Sequence, residues 1–371
     1  MSTTVTRPFH NPSARSWRAE PLRDSPIDFH RSVPGYGPTP LKHVPAIAQS
    51  LGVGKVFVKD ESDRFGLPAF KILGASYSIA RVLSDRLGET ETLSIEALRE
   101  RLRAARGLSL IAATDGNHGR AVAHVAALLD TPSTIYVPPW VSDAAKAAIL
   151  SEGAELVELD LPYDDVVAHA AAHAGEQAVL IQDTSWKGYE DVPQWIVDGY
   201  TTMLEEVDAQ LAELGLEAPD LVVAPAGVGS FAQSVVRHYR SLQHTPALLI
   251  AEPDTAASVT TALHTGRVVP VPTGDTVMTG LNCGTVSEIA WPTLRDGADV
   301  SITVTDDQTL SAVAELTSLG VDSGPCGAAT LAALRAAAED QGLHRALGLG
   351  PDVVVVLLST EGTTANPKGV R

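Results

Sequence analysis

Cysteine is almost missing from this chain. Two residues, Cys283 and Cys326, cannot build a disulfide framework or a multi-cysteine metal site, and a reducing, cytoplasmic setting is expected. Basic residues are also in short supply. Twenty-seven lysines and arginines face 45 aspartates and glutamates, a formal net charge of -18. Nucleic acid and anionic membrane surfaces would be repelled, so neither is an expected partner, and the charge is read mainly as a solubility feature. No long hydrophobic run occurs: the longest, Val353 to Leu358, is far too short to span a bilayer. The opening residues Met1 to Pro8 lack the apolar core of a signal peptide, and the polar, proline-punctuated segment to about Asp28 reads as an arm or extended lead-in. His10, His30 and His43 show no helical ligand spacing with a carboxylate, so no catalytic metal is expected. There is no tandem repeat.

What is present is a globular composition, 44% hydrophobic and 19% charged, on a chain long enough for about two domains at roughly 150 residues each. The prolines of Tyr36 to Leu41 predict an extended entry. A short helix over Pro45 to Leu51 and a strand over Val56 to Lys59 follow, then a helix that starts at or just after Lys71 and reaches Arg86. Glu89 to Arg106 is charged and helix-prone. Leu108 to Ala113 reads as a strand feeding a helix in which Val122, Val125, Ala126 and Leu129 share one face. Strands over Thr134 to Val137, Leu156 to Leu159 and Ala178 to Ile181 alternate with helices over Ser142 to Glu152 and Asp164 to His173. One long helix, Pro193 to Glu213, precedes strands at Leu221 to Ala224, Ala247 to Ala251, Ser301 to Thr305 and Val353 to Leu358, with helices over Asp307 to Leu319 and Gly327 to Ala338. This alternation predicts an α/β protein of two lobes with mostly parallel sheets and right-handed crossovers.

Five stretches could carry chemistry. Lys71 sits between Phe70 and Ile72 near a predicted helix N-terminus; desolvation and the helix dipole both disfavour its ammonium, leaving an amine able to attack a carbonyl. The alternative is a lysine whose stem covers apolar surface. Gly227-Val228-Gly229-Ser230, between a strand and a helix, suits a phosphate held by backbone N–H groups, or is a plain tight turn. In Asp115-Gly116-Asn117-His118-Gly119 the glycines admit a planar ligand and Asn117 offers a donor and an acceptor to a ring substituent; equally, Asp115 could cap a helix and His118 be packed or exposed. Asp183, past another strand end, is a carboxylate partner for Asp115, or opens an Asx turn with Trp186 filling core. The Ser359 hydroxyl, after the last strand, could bond a heterocycle nitrogen or cap a turn.

In this order the pieces resemble the pyridoxal-phosphate enzymes of fold type II, the tryptophan synthase β family, and within them the diaminopropionate ammonia-lyases. The resemblance runs from about Tyr36 to Lys368. It rests on Pro38-Thr39-Pro40-Leu41, Arg64-Phe65-Gly66-Leu67 with Ala69-Phe70-Lys71, Thr114-Asp115-Gly116-Asn117-His118-Gly119-Arg120, Asp183-Thr184-Ser185-Trp186, Ala226-Gly227-Val228-Gly229, Gly280-Leu281 with Cys283-Gly284, and Ser359-Thr360-Glu361-Gly362. Asp115 stands where threonine and serine dehydratases usually carry a serine or alanine, which points to the ammonia-lyases.

The resemblance implies a large cofactor-binding domain, 1–71 and 186–371 with 1–28 as the arm, and a smaller mobile α/β domain, 72–185. It implies that Lys71 holds pyridoxal 5'-phosphate as a Schiff base, Asn117 contacts the ring hydroxyl, Gly227, Val228, Gly229 and Ser230 cradle the phosphate, and Ser359 meets the pyridine nitrogen. Asp115 and Asp183 would be the acid/base pair for α,β-elimination on 2,3-diaminopropionate, a small amino-acid substrate, giving pyruvate and ammonia, and the assembly would be a homodimer. Departures occur at Ser323-Gly324-Pro325-Cys326-Gly327, which lacks an expected carboxylate at Pro325, at Asn282, and over Thr285 to Glu288. They bear on the substrate, so a serine or threonine dehydratase, a β-replacement enzyme, or a cofactor-holding protein without catalysis stand as alternatives.

Overall fold

The computed structural model describes residues 5–104, 107–114 and 116–365. Among these, the strands are β1 (Phe9–His10), β2 (Leu41–His43), β3 (Lys55–Asp60), β4 (Ser109–Ala113), β5 (Ser133–Val137), β6 (Glu155–Glu158), β7 (Ala178–Leu180), β8 (Leu221–Pro225), β9 (Ala247–Pro253), β10 (Val300–Val304) and β11 (Val354–Ser359). The chain forms two compact units. The first takes residues up to 23, 38–64 and from 203 onward; the second takes 24–37 and 65–202. The boundaries expected at 71/72 and 185/186 both fall inside the second unit. They do so because the Lys71–Arg86 helix packs on the Asp191–Gly199 helix and on the Asn117–Leu128 helix.

The first unit is built on a seven-stranded sheet in the order β1-β10-β9-β8-β11-β3-β2. From β10 to β3 every pairing is parallel, while β1 and β2 close the two edges antiparallel. Strands covered on both faces must be apolar throughout, which is why β8, β9 and β11 are buried along their full length. The Pro325–Glu339 helix supplies Ala328, Ala329, Leu331 and Ala332 to the core that includes Val58, Leu221, Val223, Leu249 and Leu357. The N-terminal lead-in is more than an arm: Phe9 pairs with Ser301 and His10 with Val300, so it blunts a sheet edge. Two residues are too few for a sequence pattern to reveal.

A buried ionic cluster sits in this unit. Arg64 Nη1 donates to Glu206 Oε1 and Nη2 to Oε2, both at 2.7 Å, and Lys59 Nζ donates to Glu206 Oε2 at 2.7 Å. Arg64 also holds Glu61 with two hydrogen bonds, of 2.8 and 2.6 Å. All four side chains are at most 2% exposed. Two cations face two carboxylates, so the cluster is neutral as a whole.

The second unit carries a parallel four-stranded sheet, β6-β5-β4-β7, whose core gathers Ile111, Ala113, Tyr136, Val166, Ala170 and Leu180. The Lys71–Arg86 helix approaches the Asp191–Gly199 helix at backbone contact. A Cβ added to Gly74 would stand 2.6 Å from Tyr200 Cε1, and one on Gly199 would stand 2.5 Å from Leu73 O. The helix expected as one piece over Pro193 to Glu213 is two, Asp191–Gly199 and Thr201–Glu213, separated at Tyr200. Its apolar run continues across the break: Ile196 and Val197 before it and Met203, Leu204, Val207 and Leu211 after it are all buried.

Candidate active site

The sequence candidates divide between the units. Lys71, Asn117 and Asp183 belong to the second; Gly227, Val228, Gly229, Ser230 and Ser359 belong to the first. Asp115 lies outside the described residues.

In the second unit, Lys71 is the first residue of its helix. Its surroundings are in part those expected from Phe70 and Ile72, the Phe70 ring centroid lying 5.9 Å from Nζ. Ile72 is fully buried along the helix, and Lys71 Nζ donates to Asp183 Oδ2 at 2.8 Å. Sequence spacing could not reveal this ion pair, whose partners are 112 residues apart. The Lys71 side chain keeps 24% of its surface exposed, and that of Asp183 keeps 11%. Burial alone would push the Asp183 carboxyl up; the Lys71 charge and its hydrogen bond overcome this and hold it well below the usual carboxylate range.

The backbone that presents Asp183 is held from several directions. The Tyr189 hydroxyl donates to Leu180 O and accepts from Gln182 N, each at 2.9 Å. The Gln182 side-chain oxygen accepts from Ala113 N at 3.1 Å, tying this loop to the end of β4. His118 Nε2 lies 2.8 Å from Ile181 O, and its Nδ1 lies 4.0 Å from Asp183 Oδ2. Trp186 stacks on Tyr189 at 4.5 Å between ring centroids, a packing role. Tyr200, buried against Phe70 at 4.7 Å, has its hydroxyl pushed up to about 12 by burial, with the Lys71 charge opposing. His118 had been open between packed and exposed; it is buried, and the desolvated ring is held below the ordinary histidine value. Asn117 opens the same helix, whose N-terminal loop is tied by Thr114 Oγ1 accepting from Gly116 N and Gly119 N, both at 3.0 Å.

In the first unit, the Gly227–Ser230 loop joins β8 to the Ser230–Ser241 helix, so the positive end of the helix dipole faces the loop. Gly229 caps that helix with φ +93°, a left-handed conformation, and a Cβ there would meet Leu294 Cδ1 at 2.8 Å. At Gly227 a Cβ would meet Cys283 Sγ at 3.0 Å and Gly280 O at 3.1 Å. The Gly280-Leu281 and Cys283 stretch is therefore the wall behind the glycine loop. Ser359, the last residue of β11, is fully buried and donates to Ser323 Oγ at 2.7 Å. Ser323 had drawn notice only as part of a departing motif. Glu361, 3% exposed, accepts from Cys326 N at 3.1 Å at the start of the Pro325–Glu339 helix.

A family described as "Pyridoxal-phosphate dependent enzyme" matches residues 33–360. The diaminopropionate ammonia-lyase of Escherichia coli (strain K12) is 37% identical over 350 residues, covering 91% of this chain and 87% of that protein. The crystal structure of the Escherichia coli enzyme in complex with D-serine superposes with a TM-score of 0.87 at 34% identity, covering 99% of this chain and 97% of that one. The same enzyme in complex with an aminoacrylate-PLP azomethine reaction intermediate gives 0.86 at 32% identity, again covering 99% and 97%. The residues present suit that cofactor. A lysine amine is paired with a buried carboxylate, a loop is crowded at position 227 and left-handed at 229, and a hydroxyl stands at a strand end. The fold is α/β of fold type II, and the chain belongs to the pyridoxal-phosphate dependent enzyme family and, within it, to the diaminopropionate ammonia-lyases.

Proposed function

We propose that this enzyme performs α,β-elimination on 2,3-diaminopropionate, releasing ammonia from Cβ and, after hydrolysis of the imine product, pyruvate and a second ammonia. Pyridoxal phosphate, when bound, supplies the electron sink for the pair left at Cα. The Lys71 amine would hold it at its aldehyde carbon, Asn117 would meet the ring hydroxyl, and the Gly227, Val228, Gly229 and Ser230 backbone would take the phosphate. Ser359 would donate a hydrogen bond to the ring nitrogen in place of the one it makes to Ser323 Oγ. A hydroxyl in this place leaves the nitrogen unprotonated, which favours elimination over reactions needing a stronger sink.

The observation that carries the reading is the buried Asp183 carboxylate 2.8 Å from Lys71 Nζ. An amine leaves only when protonated, so this reaction needs an acid as well as a base, and Asp183 moves protons at the position Lys71 marks. Asp115 is the second member of the pair, serving the opposite face of the substrate, which accommodates both enantiomers. The protein acts as a homodimer in the cytoplasm. Its two cysteines suit a reducing compartment, and among the described residues no helix is long and apolar enough to cross a membrane. A substrate panel of D- and L-diaminopropionate, serine and threonine tests the assignment. Turnover of the diamino acid is expected to dominate; activity on the hydroxy amino acids alone would favour a dehydratase.

A further inference from the structure

The buried imidazole of His118 has half of its hydrogen bonding complete. Nε2 stands 2.8 Å from Ile181 O, and a carbonyl oxygen only accepts, so Nε2 carries the ring proton. In the neutral ring Nδ1 is then a bare lone pair. It is buried, has no hydrogen-bond partner among the described residues, and stands 4.0 Å from Asp183 Oδ2. Two acceptors facing each other in a desolvated interior are joined only when a proton lies between them. The arrangement is one proton short while Asp183 is ionised and complete once it is protonated.

We propose that His118 is a positioning residue for Asp183, its Nδ1 lone pair receiving the Asp183 O–H whenever that carboxyl carries a proton. This rests on the reading of Asp183 as an acid/base group of the elimination. The transfer balances: a substrate proton arrives on the carboxylate, its negative charge is neutralised, and the new O–H donates to Nδ1 while the ring keeps its own proton on Nε2. When the acid gives its proton to the departing amine, the carboxylate is restored beside Lys71. Closing the 4.0 Å gap to hydrogen-bond length needs about 1.2 Å, within reach of rotation about the Asp183 side-chain torsions. The titratable groups facing Asp183 are Lys71 from the Lys71–Arg86 helix, His118 from the Asn117–Leu128 helix, and the hydroxyls of Tyr189 and Tyr200. Burial pushes both tyrosines up, so they stay neutral, and pushes His118 down, so the ring is an acceptor and not a second cation.

Two substitutions separate the ring's two ends. His118→Gln can still donate to Ile181 O but offers no acceptor in place of Nδ1; His118→Asn keeps an acceptor near Nδ1 and loses the anchor. Loss of the acceptor destabilises the protonated acid. His118→Gln is therefore expected to lower kcat about tenfold, leave KM within about twofold and move the Asp183 limb of the pH profile to lower pH, whereas His118→Asn restores that limb. In an Asp183→Asn background, His118→Gln is expected to cost nothing further. An equal cost in both backgrounds, or a raised KM with an unmoved limb, would mean that His118 only packs the helix and would overturn the proposal. A readout independent of turnover is the histidine nitrogen NMR signal. Nδ1 is expected to be an unbonded lone pair in the wild type and to shift when the Asp183→Asn amide donates to it; an unmoved signal overturns the proposal too. Should the wild type release no ammonia from diaminopropionate, the reaction assignment fails while the NMR comparison still decides the role of His118.

Discussion

Replacing Glu206 by glutamine removes one charge from a cluster that has no solvent to compensate it. The Glu206 carboxylate accepts from Arg64 Nη1 and Nη2 and from Lys59 Nζ at 2.7 Å, and from Thr39 N at 3.3 Å. The amide keeps one acceptor oxygen, turns an N–H₂ toward cationic donors, and leaves Lys59 and Arg64 with Glu61 as the one remaining carboxylate of the four charged groups. Breaking a buried pair from one side costs about 3–5 kcal/mol. With a urea slope of about 3 kcal/mol/M, the midpoint should fall by about 1–2 M. Urea titration followed by circular dichroism measures this, and hydrogen exchange at β3 and β11 locates the loss in the first unit. Burial raises the Glu206 carboxyl, but its bonds to Arg64 and the Arg64 and Lys59 charges outweigh this and hold it below its ordinary value. Its native-state value lies below the unfolded one, so the stabilisation is present above about pH 4.5 and is lost as pH falls through the native value. The difference between wild type and Glu206→Gln should narrow in acid. Lys59→Met added to Glu206→Gln restores neutrality and should recover part of the loss. A Glu206→Gln loss below about 1 kcal/mol, or one independent of pH, would refute the reasoning.

Other expectations are shorter. Lys71→Ala should abolish the visible absorption band of lysine-bound cofactor; a purified wild type that stays colourless with added pyridoxal phosphate would count against the cofactor role of this lysine. Asp115→Asn and Asp183→Asn should depress turnover of the two diaminopropionate enantiomers unequally, measured as separate kcat/KM values, and equal losses on both would count against opposite-face groups. Gly199→Ala gains up to about 1 kcal/mol of helix propensity, yet its Cβ would lie 2.5 Å from Leu73 O, so a net loss of about 1–2 kcal/mol in unfolding free energy is expected. An unchanged or raised midpoint would show that the two helices can part without penalty.

The legible parts of this chain were those written in local pattern. Alternating apolar segments announced parallel strands and crossover helices, and the positive-φ Gly229 sits where a strand-to-helix glycine turn was expected. Features made by distant partners stayed hidden. Arg64 drew notice only within a motif, because its partner Glu206 lies 142 residues away. Lys71 read as desolvated by its neighbours, and Phe70 does lie beside Nζ, but the ion pair stayed hidden because Asp183 arrives from the end of another strand. Ser323 and Ser359 are joined across 36 residues, and Glu361 accepts from Cys326 N across 35. The break at Tyr200 was invisible because the buried apolar run continues across it.

The central claim is elimination of an amine from a diamino acid, and product stoichiometry tests it directly. Incubating the cofactor-loaded enzyme with diaminopropionate and assaying both products should give about two ammonia per pyruvate, because both nitrogens leave the carbon skeleton. No pyruvate from either enantiomer, or pyruvate formed from serine or threonine alone with one ammonia each, would contradict the account.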